Sequence, residues 1–160
     1  MKIIRLFVLG VFGFSTAGFS VTLAELEKRA GIYHKIGEAS PFSGQVLGQD
    51  NGRMVSGRKN GEWTYRYENG QIKNIGSYEN GSRAGTWLGY YESGNLFYEG
   101  AYLKGKKHGQ WISYYDDRTL FYRGTYKAGK EHGEWIAFNP DGTPWVYRTG
   151  RFSQGYKVSE

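Results

Sequence analysis

Two histidines in matched settings, Lys107-His108-Gly109 and Glu131-His132-Gly133, are the chain's best candidates for holding a metal ion. They lie 24 residues apart. If that interval is a two-stranded unit, they stand about 10 Å from each other. Metal ligands approach to about 2 Å, so one ion would need both side chains to lean sharply together, and they read as solvated loop histidines. Gly100, followed by Gly105-Lys106-Lys107, falls one residue short of a phosphate-binding loop. It lacks the Ser or Thr that would hold magnesium, and no helix follows. Glu68, Glu92, Asp116, Asp117 and Asp141 occupy equivalent turn tips. They form a row, whereas acid–base catalysis needs carboxylates that converge. The chain has no cysteine, which excludes thiolate metal sites and disulfides. No enzyme, cofactor or metal is expected.

What remains is binding chemistry. Five Trp, fourteen Tyr and nine Phe in 160 residues exceed what one small sheet readily hides. Trp63, Trp87, Tyr90, Trp111, Tyr114 and Trp135 are therefore the candidate residues of a protein-binding face. Lys59, Arg83, Lys106, Lys107 and Lys130 fall in Gly-x-x-x-Gly segments and are expected to form a basic rim opposite the acidic one. Formal net charge is +6. A basic rim suits an anionic membrane surface or an acidic partner. No nucleic acid is expected as partner, because the chain reads as exported.

The elements that position these residues follow from a period. Trp63, Trp87, Trp111 and Trp135 recur every 24 residues, as do Gly52, Gly76, Gly100 and Gly124. A period of this length signals a repeat array. Each unit holds two short aromatic-rich runs of strand length, such as 96–103 and 111–115, separated by glycine-bearing turns. Reading Asn69-Gly70 and Ser93-Gly94 as two-residue loops puts Tyr91 opposite Leu96 and Tyr90 opposite Phe97. It also sets Trp87 facing Gly100 and Trp111 facing Gly124. A three-residue loop shifts this by one. Arg118 stands where other units carry Gly and should hold about 1 kcal/mol of strain if it takes the left-handed conformation. The expected fold is all-β, a single-layer antiparallel meander of hairpin repeats.

The segment Tyr98-Glu99-Gly100-Ala101-Tyr102-Leu103-Lys104-Gly105-Lys106-Lys107-His108-Gly109-Gln110-Trp111 resembles a MORN repeat. The 24-residue spacing with Trp after Gly-x resembles the bacterial MORN variant repeats of the YwqK family of antitoxins. The likeness covers roughly Gly48 to Gly155, and the segments 31–35 and 41–46 resemble that family's lead-in. It implies an open, solenoid-like sheet. It also implies an immunity or antitoxin protein whose partner is a cognate toxin, neutralised by being covered.

Residues 1–24 read as a signal peptide. Lys2 and Arg5 precede the apolar run 6–14, and Ser15-Thr16-Ala17 and Thr22-Leu23-Ala24 offer cleavage sites. Residues 25–47 form a lead-in and cap, with a short helix expected over 23–30 and an edge-covering strand over 42–47. Residues 48–149 form the array. Residues 150–160 form a truncated cap repeat, because Gly150, Phe152 and Gly155 fall 26 rather than 24 residues after Gly124, Tyr126 and Gly129. The expected function is an exported, periplasmic or secreted, protein-binding repeat protein. The alternative is an envelope scaffold that meets anionic lipid or an envelope protein through its basic rim.

Overall fold

The structure is a computed structural model and describes residues 20–159. The expected signal peptide lies, for its first 19 residues, outside the described residues. The described chain is all-β apart from one 3-10 turn at Leu23–Glu25. The strands are β1 (Ser20–Val21), β2 (Leu26–Arg29), β3 (Ile32–Lys35), β4 (Gly44–Val46), β5 (Asp50–Val55) and β6 (Arg58–Arg66). They continue with β7 (Ile72–Glu79), β8 (Ser82–Tyr90), β9 (Leu96–Leu103), β10 (Lys106–Tyr114), β11 (Leu120–Lys127), β12 (Lys130–Ala137), β13 (Gly150–Ser153) and β14 (Tyr156–Ser159). From β4 to β14 the strands follow one another in sheet order as an antiparallel meander.

The two kinds of turn are reversed from expectation. The tight two-residue loops are Ser56-Gly57, Asn80-Gly81, Lys104-Gly105 and Ala128-Gly129. Both residues of each have positive φ, for example 50° at Lys104 and 78° at Gly105. That geometry matches the right-handed twist of the flanking strands. The opposite tips are three-residue loops. Around Glu92-Ser93-Gly94, the Gly94 N–H donates to Tyr91 O (3.0 Å) and the Tyr91 N–H donates to Asn95 O (2.9 Å). Tyr90 then pairs with Leu96 and Gly89 with Tyr98, so Phe97 is an extra, bulged residue. The bulge absorbs the one-residue shift, and Trp87 still stands opposite Gly100, as Trp111 does opposite Gly124. Arg118 takes the left-handed conformation, with φ of 71°.

The core is the row of four tryptophans, whose exposures are 0, 0, 2 and 1% along the chain. A single sheet buries them by enclosing each indole with its neighbours. Trp87 leans onto Gly76, where a Cβ would fall 2.3 Å from its ring. Tyr78 and Tyr102 flank it edge-on at 5.1 and 6.0 Å. Its Nε1–H donates to Ser77 O at 3.1 Å, beside the bulge that interrupts pairing with β7. Trp63, Trp111 and Trp135 donate likewise to Arg53, Ala101 and Thr125, always ten residues upstream. Burying roughly 200 Å² of each indole is worth about 5 kcal/mol before ordering costs.

The ends are closed differently from the array. The helix expected over 23–30 is instead the 3-10 turn followed by β2, which pairs with β3 as a separate hairpin. The shortened strand β4 is not the first edge, because β1 pairs with it in parallel. Val21, Leu26, Phe42, Val46, Met54 and Trp63 form one apolar cluster that seals the first repeat. At the other end Gly150 opposes Trp135, and Phe152 packs against that indole at 6.2 Å.

Candidate functional site

The burial of the tryptophans changes which residues can meet a partner. Trp63, Trp87, Trp111 and Trp135 cannot form a contact surface, since side chains of the same sheet already cover them. Tyr90 and Tyr114 remain half-exposed. Strand alternation puts them on the face opposite the indoles, with Leu88 and Ile112.

That opposite face carries a continuous ladder. Thr64, Ile75, Leu88, Glu99, Ile112, Arg123 and Ile136 are successive cross-strand partners from β6 to β12. Ile75, Leu88, Ile112 and Ile136 are half-exposed, while Glu99 and Arg123 are exposed. Over β8 to β12 the ladder forms the wall of a groove of about 680 Å³, lined also by Thr86, Gln110, Thr125 and Glu134. Its floor is the backbone of Gly100 and Gly124, which have no side chains to fill it.

The expected basic rim divides in two. Lys106 and Lys130 are exposed at the tight turns, and their stems lie against Gly129 and Gly155 of the next turn. Lys59, Arg83 and Lys107 are not on the rim. They cap the outward faces of Trp63, Trp87 and Trp111, with the cation 4.0, 4.3 and 4.1 Å from the ring centre. The signal is present in the sequence, because each cation precedes its tryptophan by four residues, a one-face spacing in a strand. The fourth unit has Glu131 in this place, paired with Arg148 at 2.5 Å.

Tyrosine hydroxyls border this row. Lys59 Nζ donates to Tyr65 Oη (2.9 Å), which is 2.9 Å from Tyr78 Oη, and Arg83 Nη1 donates to Tyr102 Oη (2.9 Å). Burial holds Lys59 and Lys107 below the usual lysine range. It pushes the Tyr98 hydroxyl up to about 12, so that group stays protonated at neutral pH.

The acidic tips form a row, as expected, and they are stitched together. Asn95 Nδ2 donates to Asp116 O at 2.7 Å, Ser93 bonds Asp116, and Tyr91 Oη donates to Tyr114 O at 2.9 Å. His108 is exposed and His132 half-buried. Among the described residues no three His, Cys, Asp or Glu side chains are grouped to hold a metal.

Fold and surfaces together define an open repeat sheet of 24-residue hairpins that presents two accessible faces. The family described as MORN repeat variant matches residues 59–80 and 83–104, two consecutive units of the array. Repeats of this kind occur in proteins that bind other proteins or membranes. No curated protein matches the chain.

Proposed function

We propose that this chain is an exported binding protein that covers a protein partner with the face opposite its tryptophans. The observation that carries the reading is the ladder itself. Leu88, Ile112 and Ile136 recur one repeat apart on a face left half-exposed, with Tyr90 and Tyr114 alongside. Aromatic and aliphatic anchors bordered by charges such as Glu99 and Arg123 are the composition of a protein interface. The resemblance of the repeats to those of bacterial antitoxins supports a reading in which the partner is a toxin, neutralised by being covered and not by catalysis. The leader would carry the chain out of the cytoplasm. Among the described residues no helix is long and apolar enough to cross a membrane. The lipid-rim alternative is weakened because three of its five cations are turned onto indoles.

The test is recovery of the partner from the source cells with the mature protein, followed by binding of the purified pair. Ile112→Asp should weaken binding by about 30-fold or more, the scale of a hot-spot loss. The recovered partner, expressed alone, should arrest growth, and co-expression of this chain should relieve the arrest. A partner that is harmless alone would remove the antitoxin assignment. Binding only to anionic vesicles, lost on removing Lys106 and Lys130, would remove the protein-binding reading as well.

A further inference from the structure

The row of cations over the tryptophans has features that packing does not require. A cation on an indole contributes about 0.5–2 kcal/mol, yet a neutral apolar cap would exclude water equally well without burying charge. Three successive units place Lys59, Arg83 and Lys107 in this position. Among the described residues none of the three makes an ion pair with a carboxylate. The acidic groups that act on the row lie toward its ends. Asp50 faces Lys59, and Glu131 faces Lys107 while already paired with Arg148. Arg83, at the centre, is met by the tyrosines 78 and 102 and by no carboxylate. Lys28 adds positive potential at the Lys59 end, while at the Lys107 end Arg148 is offset by its pairing with Glu131. The result is a line of partly desolvated cations, none in an ion pair among the described residues, with tyrosine hydroxyls along it.

The spacing of that line selects a ligand shape. Equivalent residues are two strands apart, and strands lie about 4.8 Å apart, so the cations repeat at about 9.6 Å. A polyproline-II chain has three residues per turn and rises about 3.1 Å per residue, so every third side chain returns to one face at about 9.3 Å. Across three sites the mismatch is about 0.6 Å. An α-helix repeats a face every seven residues at about 10.5 Å and drifts by about 1.8 Å over the same span. An extended β-strand sends its third residue to the opposite face. Aromatic-lined surfaces are also the usual receptors of polyproline-II segments, whose conformational entropy is already low.

The geometry points to a second binding site, separate from the ladder face. It would take an acidic polyproline-II peptide that runs across the strands with a carboxylate at every third residue. Successive carboxylates meet Lys59, Arg83 and Lys107, and the intervening residues lie over the tyrosine edges.

The probe is a peptide of four Glu-Pro-Pro triplets, measured by calorimetry against the mature protein. The controls are an isomer with its glutamates contiguous and a peptide of four Lys-Pro-Pro triplets. The triplet peptide should bind, the isomer should bind at least about fivefold more weakly, and the lysine peptide should not bind. Lys59→Met and Lys107→Met keep an apolar cap on the indole. Each should weaken binding roughly three- to tenfold, with the melting transition retained as the check on folding. Lys107→Arg should preserve binding. Equal affinity for the isomer, or unchanged affinity in both Met variants, would overturn the site. So would binding to phosphatidylglycerol vesicles in place of the peptide, which would make the row a membrane contact. Because the ladder face is untouched, binding of the protein partner through Ile112 stands or falls separately.

Discussion

The indole of Trp111 lies against the bare Cα of Gly100, so close that a Cβ there would fall 2.1 Å from Cδ2. Register alone leaves Gly100 between two indoles, directly opposite Trp87 on β8 and Trp111 on β10. The indoles all lean one way, toward the glycine of the preceding strand, so the covering residue is Trp111.

Gly100→Ala should therefore destabilise by about 3 kcal/mol, through overpacking against a ring that has no room to retreat. Gly85→Ala meets nothing within 4 Å and should cost only the strain of its φ of 62°, about 1–2 kcal/mol. Urea denaturation of both variants gives the comparison. A double-mutant cycle assigns the partner, since the Gly100→Ala penalty should shrink in a Trp111→Leu background and persist in Trp87→Leu.

Arg118 holds a φ of 71° at the position where sister turns have Gly70 and Gly94, and its Nε donates to Asn95 Oδ1 at 2.9 Å. The contact is between exposed groups and is worth a few tenths of a kcal/mol. Relief of left-handed strain exceeds it, so Arg118→Gly should stabilise by under about 1 kcal/mol. Arg118→Ala loses the contact and keeps the strain, and it should be less stable than wild type. If denaturation curves place Arg118→Gly below wild type, the Asn95 bond outweighs the backbone strain.

Asp117 and Asp141 cap their own turns. Each Oδ1 accepts from the hydroxyl and the backbone N–H two residues on, at 2.6 and 2.8 Å from Thr119 and 2.6 and 2.9 Å from Thr143. The Thr hydroxyls first, and the backbone bonds second, hold both carboxyls below the usual aspartate range. A depressed folded-state value means this stability is fully present above the unfolded value of about 3.9 and is lost as pH falls through the folded one. The melting temperature should fall on acidification below about pH 4. Asp117→Asn with Asp141→Asn should flatten that fall, and an unchanged slope in the double variant would assign it to other carboxylates.

Val21 is 5% exposed, and its carbonyl accepts the Leu47 N–H at 2.8 Å. A chain beginning at Gly18 keeps strand β1, whereas one beginning at Glu25 lacks it and uncovers the fully buried Val46. The shorter chain should be less stable by about 2–3 kcal/mol from lost apolar burial. Thermal melts of the two forms measure the difference, and N-terminal sequencing of the protein purified from its source cells shows which form the cell makes.

The 24-residue comb by itself determined the unit and the all-β meander. These depend on strand length, alternation and pairing with the next strand, all of which repeat along one dimension. The opposition of Trp87 to Gly100 and Trp111 to Gly124, expected from a two-residue loop, holds because the bulge at Phe97 compensates the third loop residue. Which tip is tight was decided by backbone conformation. Lys104-Gly105 adopts two left-handed residues, while Glu92-Ser93-Gly94 adopts three loop residues and recovers register through the bulge at Phe97. Both arrangements give the same downstream pairing, so the sequence period cannot tell them apart. The same holds for Trp63, Trp87, Trp111 and Trp135, whose burial depends on Tyr78, Tyr102, Tyr126 and three cations arriving from neighbouring strands and from their own. The parallel strand β1 carries no local mark, because its partner β4 lies more than twenty residues away and only the three-dimensional closure of the first repeat brings them together.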